Sequence, residues 1–162
     1  MSSASVFIFL SKKINGENHV LLVKNKREDR EKGVRSVKPP GWGLPGGQVE
    51  REEFGFEVDA VLRELQEETG IRKNQVEIDL TERESVHWEN KYNLEDENDK
   101  HQVFIFRARL KVPVELIKLS PQKDSDVEEA RWWPINKLPD KKLSGIGIYH
   151  SHKQRILDFL KV

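Results

Sequence analysis

Residues 63–71 read Arg-Glu-Leu-Gln-Glu-Glu-Thr-Gly-Ile and carry the strongest structural signal in this chain. On an α-helix each residue turns about 100°, so residues three and four apart are neighbours. Glu64, Glu67 and Glu68 therefore share one face of the predicted helix. Three neighbouring carboxylates repel one another, and this indicates a bound cation, for which a hard divalent ion with oxygen ligands is the natural candidate. The alternative interpretation is an ordinary acidic face exposed to solvent.

The same helix has an apolar face. Four residues have the i, i+3, i+4, i+7 spacing that is typical of a buried stripe, and these are Val58, Val61, Leu62 and Leu65. The spacing predicts a helix over about residues 57–69 that packs on a core and holds its glutamates at the edge of that core. Gly70 follows and suits the left-handed conformation that commonly ends a helix.

A glycine-rich loop precedes the helix. Residues 41–53 read Gly-Trp-Gly-Leu-Pro-Gly-Gly-Gln-Val-Glu-Arg-Glu-Glu. Glycines let a backbone approach a ligand closely and offer its amides and carbonyls as contacts. Beside a cation held by carboxylates, such a loop suits a phosphate-containing substrate, with Gly46 and Gly47 as the substrate-binding residues. Taken alone, the glycines favour an ordinary turn.

Together, the loop and the helix resemble the signature of the Nudix (MutT-like) hydrolase family. That signature is Gly, five residues, Glu, seven residues, and then Arg-Glu-apolar-x-Glu-Glu-x-Gly-apolar. Gly47 and Glu53 match its first part, and residues 63–71 match its last part at every specified position. The departure is in the middle, where the nine residues 54–62 stand in place of seven. The two additional residues should lengthen the loop or the first turn before the helix, and they leave the placement of Glu53 open.

The resemblance implies the Nudix fold, which is an α/β/α sandwich with a mixed β-sheet and a loop–helix–loop at the signature. The chain has 162 residues, enough for one domain with a good core and too few for two comfortable ones. We therefore expect a single domain over residues 1–162.

Alternation of apolar residues and turn signals predict the remaining elements. These are strands over residues 5–10, 19–24, 42–44, 75–83, 101–110 and 127–133, a helical turn over 134–138 and a closing helix over 148–160. Asn15-Gly16 is a strong hairpin signal between the first two strands. On the closing helix, we expect Ile156, Leu157 and Leu160 to share one face. Residues 89–100 are nearly all polar and predict a loop.

Composition excludes several classes of protein. The 28 basic and 28 acidic residues cancel, so no global positive field indicates nucleic-acid binding. The absence of cysteine excludes disulfides, thiolate catalysis and zinc held by sulfur. The N-terminus has no basic region, and its apolar run at residues 6–10 is too short for a signal peptide or a membrane span. We expect a soluble cytoplasmic protein without a membrane partner, and the oligomeric state stays open, with a homodimer compatible.

The resemblance also implies an activity and a cofactor. The family generally cleaves a pyrophosphate bond in a nucleoside diphosphate linked to another group, with Mg²⁺ or Mn²⁺. By that resemblance the candidate metal ligands are Glu64, Glu67, Glu68 and the carbonyl of Gly47. Arg63 is expected to orient a signature glutamate through an ion pair. The general base stays open between Glu64, Glu67 and an acid from a distant loop.

Two outlying segments complete the predicted site. Family members often bring an acid to the metals from just before a Trp-bearing strand, and here Asp126 is the first candidate, with Asp124 and Glu128 behind it. The segment 24–38 is basic and could close on substrate phosphates, with Lys24 and Arg35 as candidate substrate-binding residues. A solvated loop fits either segment equally well. Side chains that could contact a base are Trp88, Tyr92, Phe104, His87 and His101, although aromatic residues in strands more often belong to a core.

Two alternative functions remain. In one, the domain binds a nucleotide without cleaving it, as a sensor or a regulatory module, and the complete set of three glutamates argues against this. In the other, a hydrolase acts on RNA 5′ ends that the basic segment holds, and the neutral net charge argues against this. Within the enzyme interpretation the default partner is a small nucleotide. The sequence does not choose among nucleoside triphosphates, oxidised nucleotides, ADP-ribose, nucleotide sugars and dinucleoside polyphosphates.

Overall fold

The computed structural model describes residues 3–26, 41–88, 101–140 and 147–160. Within them the helices and strands follow in the order β1 (Ser3–Ile14), β2 (Glu17–Asn25), β3 (Trp42–Gly43), β4 (Gly46–Gln48), α1 (Glu57–Thr69), β5 (Val76–Trp88), β6 (His101–Leu110), β7 (Val127–Pro134) and α2 (His150–Leu160). Short 3-10 turns lie at residues 51–53, 73–75, 114–116 and 135–137. The order and type of these elements follow the prediction closely.

The sheet is mixed, and β1 lies at its centre. The N-terminal part of β1 runs parallel to β6, with Ser3 opposite His101 and Leu10 opposite Ala108. The C-terminal part of β1 pairs antiparallel with β2. Beyond β6 the sheet continues into β5, while β2 also pairs with β3 and β7, all antiparallel. The short strand β4 pairs with the N-terminal part of β1 and brings the glycine loop to the sheet.

The hairpin between β1 and β2 turns at the predicted dipeptide. Asn15 has a φ of 52° and Gly16 a φ of 79°. Two consecutive positive φ angles are what a two-residue hairpin needs to match the twist of its strands, and asparagine and glycine adopt them at low cost. The hairpin prediction is confirmed.

One helix packs on each face of the sheet because side chains along β1 alternate between the two faces. Val6 belongs to a buried cluster that includes Leu65 of α1. Phe9 belongs to the opposite cluster, which includes Ile156 of α2. Fully burying a side chain of this size contributes about 1.5–3 kcal/mol, so both clusters hold their helix in place. The α/β/α sandwich is confirmed.

The buried face of α2 differs from the prediction. Ile156 and Phe159 are buried at 0% and 6% exposure, whereas Leu157 and Leu160 are 37% and 43% exposed. Of the three residues expected to share one face, Ile156, Leu157 and Leu160, only Ile156 is buried, and Phe159 is buried beside it. Residues three apart lie on one side of a helix, while the residue after Ile156 is turned about 100° away. Phe159 stacks on Phe9 of β1 at a ring-centroid distance of 4.9 Å, and this contact selects the face.

Two further differences concern strands. The predicted strand at residues 75–83 continues to Trp88, with an irregular register between Asp79 and Glu84. The strand β4 was not predicted, because Gly-Gly-Gln has little strand propensity and pairs only through the tertiary structure. The predicted loop at residues 89–100 lies outside the described residues. Neither described helix is long and apolar enough to cross a membrane.

Candidate active site

The acidic face of α1 lies against the glycine loop. Glu68 is buried at 6% exposure, and its Oε1 accepts a hydrogen bond from the Gly46 N–H at 2.6 Å. A charged group that is buried this deeply requires such partners. The contact ties the C-terminal end of α1 to β4 and sets the distance between loop and helix.

Two glycines of the loop, Gly46 and Gly47, make this close approach possible. Gly46 has a φ of 156°, and a Cβ there would lie 2.0 Å from the Val6 carbonyl oxygen. A Cβ on Gly47 would lie 2.6 Å from Oε1 of Glu64. At Gly46 only a residue without a side chain fits against the backbone of β1, whereas a side chain at Gly47 would displace the Glu64 carboxylate.

Arg63 is the centre of a network of acidic side chains. Its Nε and Nη2 donate to the two carboxylate oxygens of Glu53 at 2.9 and 2.8 Å. Its Nη1 lies 3.2 Å from an oxygen of Glu64 and 3.2 Å from an oxygen of Glu67. The planar guanidinium suits this two-pronged contact. The hydrogen bond with Glu53 is the main cause that raises the pKa of Arg63 above its ordinary value.

The two additional residues of the signature do not separate Glu53 from Arg63. A 3-10 turn over Arg51–Glu53 and a further turn at residues 54–55 precede the helix. Gly55 takes a φ of 88° in that turn. The hydrogen bond from Arg63 lowers the pKa of the Glu53 carboxyl. The insertion therefore lengthens the loop, as expected, and Glu53 still reaches the helix.

Glu64 has a strongly perturbed carboxyl group. Burial raises its pKa to about 7 from the ordinary value of 4.5. The positive charge of Arg63 opposes this rise, and the negative charge of Glu67 adds to it. Near neutral pH the carboxyl is therefore close to half protonated, which is the condition in which a side chain exchanges protons most readily.

These groups line a cleft of about 620 Å³. The α1 side contributes Arg63, Glu64, Glu67 and Glu68, and the glycine loop contributes residues 46–48 and Glu50. The remaining lining residues are Ser5, Phe7, Asn25, Lys26, Asp124, Ser125 and Asp126. Residues that are distant in sequence thus meet in one concave site.

The distant acids fall into two groups. Asp124 and Asp126, which lie just before β7, both line the cleft. Glu128 lies on β7 and pairs with Lys24 of β2 at 2.9 Å. The structure therefore brings Asp124 and Asp126 to the α1 acids and holds Glu128 elsewhere.

Besides Arg63, the basic residue that lines the cleft is Lys26. Lys24, which the sequence favoured, is engaged in its ion pair with Glu128 and is not among the residues that line the cleft. Arg35 lies outside the described residues. Sequence reasoning included Lys26 only as one member of a basic segment, and the available signal was its position directly after the end of a strand.

The aromatic candidates are distributed differently from the acids. Phe104 is buried at 3% exposure and belongs to the core next to α1. Tyr92 and the side chains of Trp88, His87 and His101 lie outside the described residues. Phe7 and Asn25 line the cleft, and no local sequence signal distinguished them. Asn25 also donates a hydrogen bond to the hydroxyl of Tyr149 at 3.1 Å.

The chemistry of this donor set fits a hard divalent cation, since all the candidate donors are oxygens. Within the described part of the chain, no three acidic or imidazole side chains already converge on a point that could hold a metal ion. Glu64 and Glu67 turn towards Arg63, and Glu68 turns towards Gly46. A metal would therefore have to draw these carboxylates away from their present partners.

Comparison with known proteins agrees with this geometry. The NUDIX domain family matches residues 2–150, and no curated protein sequence matched the chain. One similar solved structure is a Caenorhabditis elegans Ap4A hydrolase binary complex, with 21% identity, coverage of 98% of this chain and 96% of that chain, and a TM-score of 0.65. A second is the NUDIX domain of Shewanella oneidensis NrtR with ADP ribose, with 19% identity, coverage of 99% of this chain and 88% of that chain, and a TM-score of 0.66. A third is a Burkholderia pseudomallei MutT NUDIX hydrolase, with 19% identity, coverage of 97% of each chain, and a TM-score of 0.60. These likenesses concern the fold. Because the family match spans most of its length, this chain belongs to the NUDIX domain family.

Proposed function

We propose that this protein is a metal-dependent hydrolase that cleaves the pyrophosphate bond of a nucleoside diphosphate linked to another group. The observation that carries the proposal is the meeting of the α1 acids, the glycine loop and two aspartates in one cleft. Family membership supports a pyrophosphohydrolase acting on phosphoric anhydrides. The cleft of about 620 Å³ falls within the range of roughly 300–1,000 Å³ that is usual for small-molecule sites.

The residues proposed to hold Mg²⁺ or Mn²⁺ are Glu64, Glu67, Glu68 and the carbonyl of Gly47. Phosphoryl chemistry needs such a cation because anionic oxygens shield the phosphorus from a nucleophile. When bound, the metal neutralises that charge and lowers the pKa of a water molecule. Arg63 keeps Glu53 in place and sets the orientation of the acids that the metal would bind.

The general base is proposed to be one of three carboxylates. Glu64 is supported by its pKa of about 7, since proton transfer is most effective when the pKa of the base lies near the working pH. Where Glu64 binds the metal as an anion, Glu67 or Asp126 takes the proton instead. Asp126 lines the same cleft from the segment just before β7, and so offers a carboxylate that does not belong to α1.

The substrates to examine first are dinucleoside polyphosphates and ADP-ribose. One similar structure is an Ap4A hydrolase, and another was solved with ADP ribose. Both ligands are nucleoside diphosphates that carry a further group, which is the substrate class of the proposal. Nucleoside triphosphates and nucleotide sugars complete the panel.

The test is phosphate or pyrophosphate release from this panel with Mg²⁺, with Mn²⁺ and with a chelator. We expect metal-dependent release from one substrate class. In Glu67→Gln or Glu68→Gln, turnover should fall by orders of magnitude while the fold stays intact. The control Glu52→Gln changes an exposed acid of the neighbouring 3-10 turn and should leave turnover unchanged. Near wild-type turnover in Glu68→Gln would remove this residue from the metal site.

The alternative is a domain that binds a nucleotide without cleaving it. The NUDIX domain of NrtR was solved with ADP ribose, and this observation keeps the alternative open. Calorimetric titration with ADP-ribose separates the two functions. Tight binding without phosphate or pyrophosphate release from any substrate would favour a sensor. The two inserted residues around Gly55 would then be the first to delete.

A further inference from the structure

The segment that carries Asp124 and Asp126 is attached to the rest of the protein at both ends. We call residues 122–126 the acid loop. At one end the Gln122 N–H donates to the Glu67 carbonyl oxygen at 2.8 Å, which ties the loop to α1. At the other end the Asp126 carbonyl oxygen accepts the N–H of Lys26 at 2.7 Å, which ties the loop to the end of β2.

The side chain of Lys26 holds the middle of the same loop. Its Nζ donates to the carbonyl oxygen of Lys123 at 3.0 Å and to that of Ser125 at 2.9 Å. These two carbonyls flank Asp124. Lys26 thus contacts the residue before each aspartate through its side chain, and Asp126 itself through its backbone N–H.

The hydrogen bonds inside the acid loop do not replace this attachment. The Ser125 hydroxyl and the Ser125 N–H both donate to the Gln122 carbonyl oxygen, at 2.7 and 3.1 Å. They shape the turn but join the loop only to itself. Without Lys26, the carbonyls of Lys123 and Ser125 would lose their donor, which costs free energy wherever water does not replace it.

A lysine suits this position for chemical reasons. An ammonium group is compact and offers three donors and no acceptor, so it can bind two carbonyls that converge on one point. It also adds a positive charge to a cleft whose charged lining residues are mostly acidic. Arginine would supply the charge, but its planar guanidinium directs its donors differently.

We propose that Lys26 is a positioning residue that holds the acid loop to the end of β2, so that Asp124 and Asp126 face the acids of α1. The consequence for catalysis rests on the proposed hydrolase function, whereas the attachment of the loop does not. The competing role is direct contact between the Lys26 ammonium and substrate phosphates. The two roles differ in what happens to the protein before any ligand is added.

The first experiment is hydrogen exchange, followed by mass spectrometry, on the full chain without metal or substrate. In Lys26→Met, peptides that cover the acid loop should exchange about tenfold faster or more, because two hydrogen bonds from a charged donor are lost. Peptides from β6 should be unchanged, which verifies the fold. Lys26→Arg keeps the charge and should restore part of the protection.

Lys123→Met is the matched control for this experiment. It removes one positive charge from the acid loop itself but keeps the backbone carbonyl that Lys26 binds. Its exchange should equal that of the wild type. Equal exchange in the wild type and in Lys26→Met would overturn the proposal, because the loop would then hold its place without the ammonium.

The second experiment is a double-mutant cycle on turnover. A positioning role predicts that Lys26→Met lowers kcat about tenfold or more with little change in KM. It also predicts little further loss when Lys26→Met is added to a chain in which both aspartates are already asparagine. A rise in KM, or the same factor in both backgrounds, would assign Lys26 to the substrate and overturn the positioning role. If no substrate is hydrolysed, the proposed function fails, and hydrogen exchange still decides the attachment.

Discussion

Metal binding should compete with a proton at Glu64, and this competition sets how metal affinity changes with pH. In the metal-free protein, burial raises the pKa of this carboxyl to about 7. A hard cation binds the ionised carboxylate, so the proton has to leave first. The perturbation is therefore a change of pH from 6 to 8, with Mn²⁺ as the metal and no substrate present.

The magnitude follows from the pKa. A rise from 4.5 to about 7 corresponds to about 3 kcal/mol opposing ionisation, at about 1.4 kcal/mol per pKa unit. With this pKa, about one carboxyl in eleven is ionised at pH 6 and about ten in eleven at pH 8. The fraction that can bind the metal thus rises about tenfold, and the apparent affinity for Mn²⁺ should rise by the same factor.

Two measurements test this expectation. Electron paramagnetic resonance reports free Mn²⁺ during a titration and gives the apparent dissociation constant at pH 6, 7 and 8. Calorimetry in buffers of different protonation enthalpy counts the protons released on binding. We expect Glu64 to release about one proton per bound Mn²⁺ at pH 6 and about a tenth of a proton at pH 8.

The control variants identify the titrating group. Glu64→Gln should bind Mn²⁺ more weakly and with no comparable proton release at pH 6. Glu52→Gln, in the exposed 3-10 turn before the helix, should keep the wild-type dependence on pH. Equal affinities at pH 6 and pH 8 in the wild type would refute the reasoning. A tenfold change that persists in Glu64→Gln would assign the proton to another group.

Three further predictions concern the same residues. Gly47→Ala should weaken Mn²⁺ binding about tenfold or more with little change in melting temperature. Its new Cβ would lie 2.6 Å from Oε1 of Glu64 and would push that carboxylate aside. Unchanged binding in the same titration would contradict this. Arg63→Lys should lower the free energy of unfolding, measured in urea, by about 1.5 kcal/mol, since lysine cannot make both hydrogen bonds to Glu53. An unfolding free energy equal to that of the wild type would show that the pair makes no net contribution to stability. The raised pKa of Glu64 favours the folded state fully only below about pH 4.5, and this contribution is lost as pH rises from there through about 7. Glu64→Gln should therefore raise the melting temperature of the metal-free protein by several degrees at pH 8 but hardly at pH 4. A gain of equal size at both pH values would contradict the assignment.

Helix α1 shows how much a short stretch of sequence can predict. Its span, Glu57–Thr69, and its terminal glycine agree with the prediction. The spacing of Glu64, Glu67 and Glu68 places them on one face by helix geometry alone. The apolar stripe supplied the packing direction, because burying one face of a helix is the main source of its stability.

The position of Glu53 depended on contacts that local rules do not describe. The insertion around Gly55 made its placement open, since a loop two residues longer can run in several directions. Arg63 decides between them by holding both carboxylate oxygens of Glu53. A hydrogen-bonded ion pair across ten residues is a tertiary feature, although both partners belong to the recognised signature.

The cleft likewise depends partly on local sequence and partly on tertiary packing. Spacing within single elements was enough to predict the helix, the hairpin and the order of strands, because dihedral preferences and side-chain periodicity act over a few residues. The choice of Lys26 rather than Lys24 for the cleft wall, and the burial of Phe159 rather than Leu157, came only with the packed fold. Lys26 meets the carbonyl of a residue that is 97 positions away in sequence. Such contacts depend on how strands pair and which helix face finds a partner, and a pattern read along the chain does not contain that distance in space.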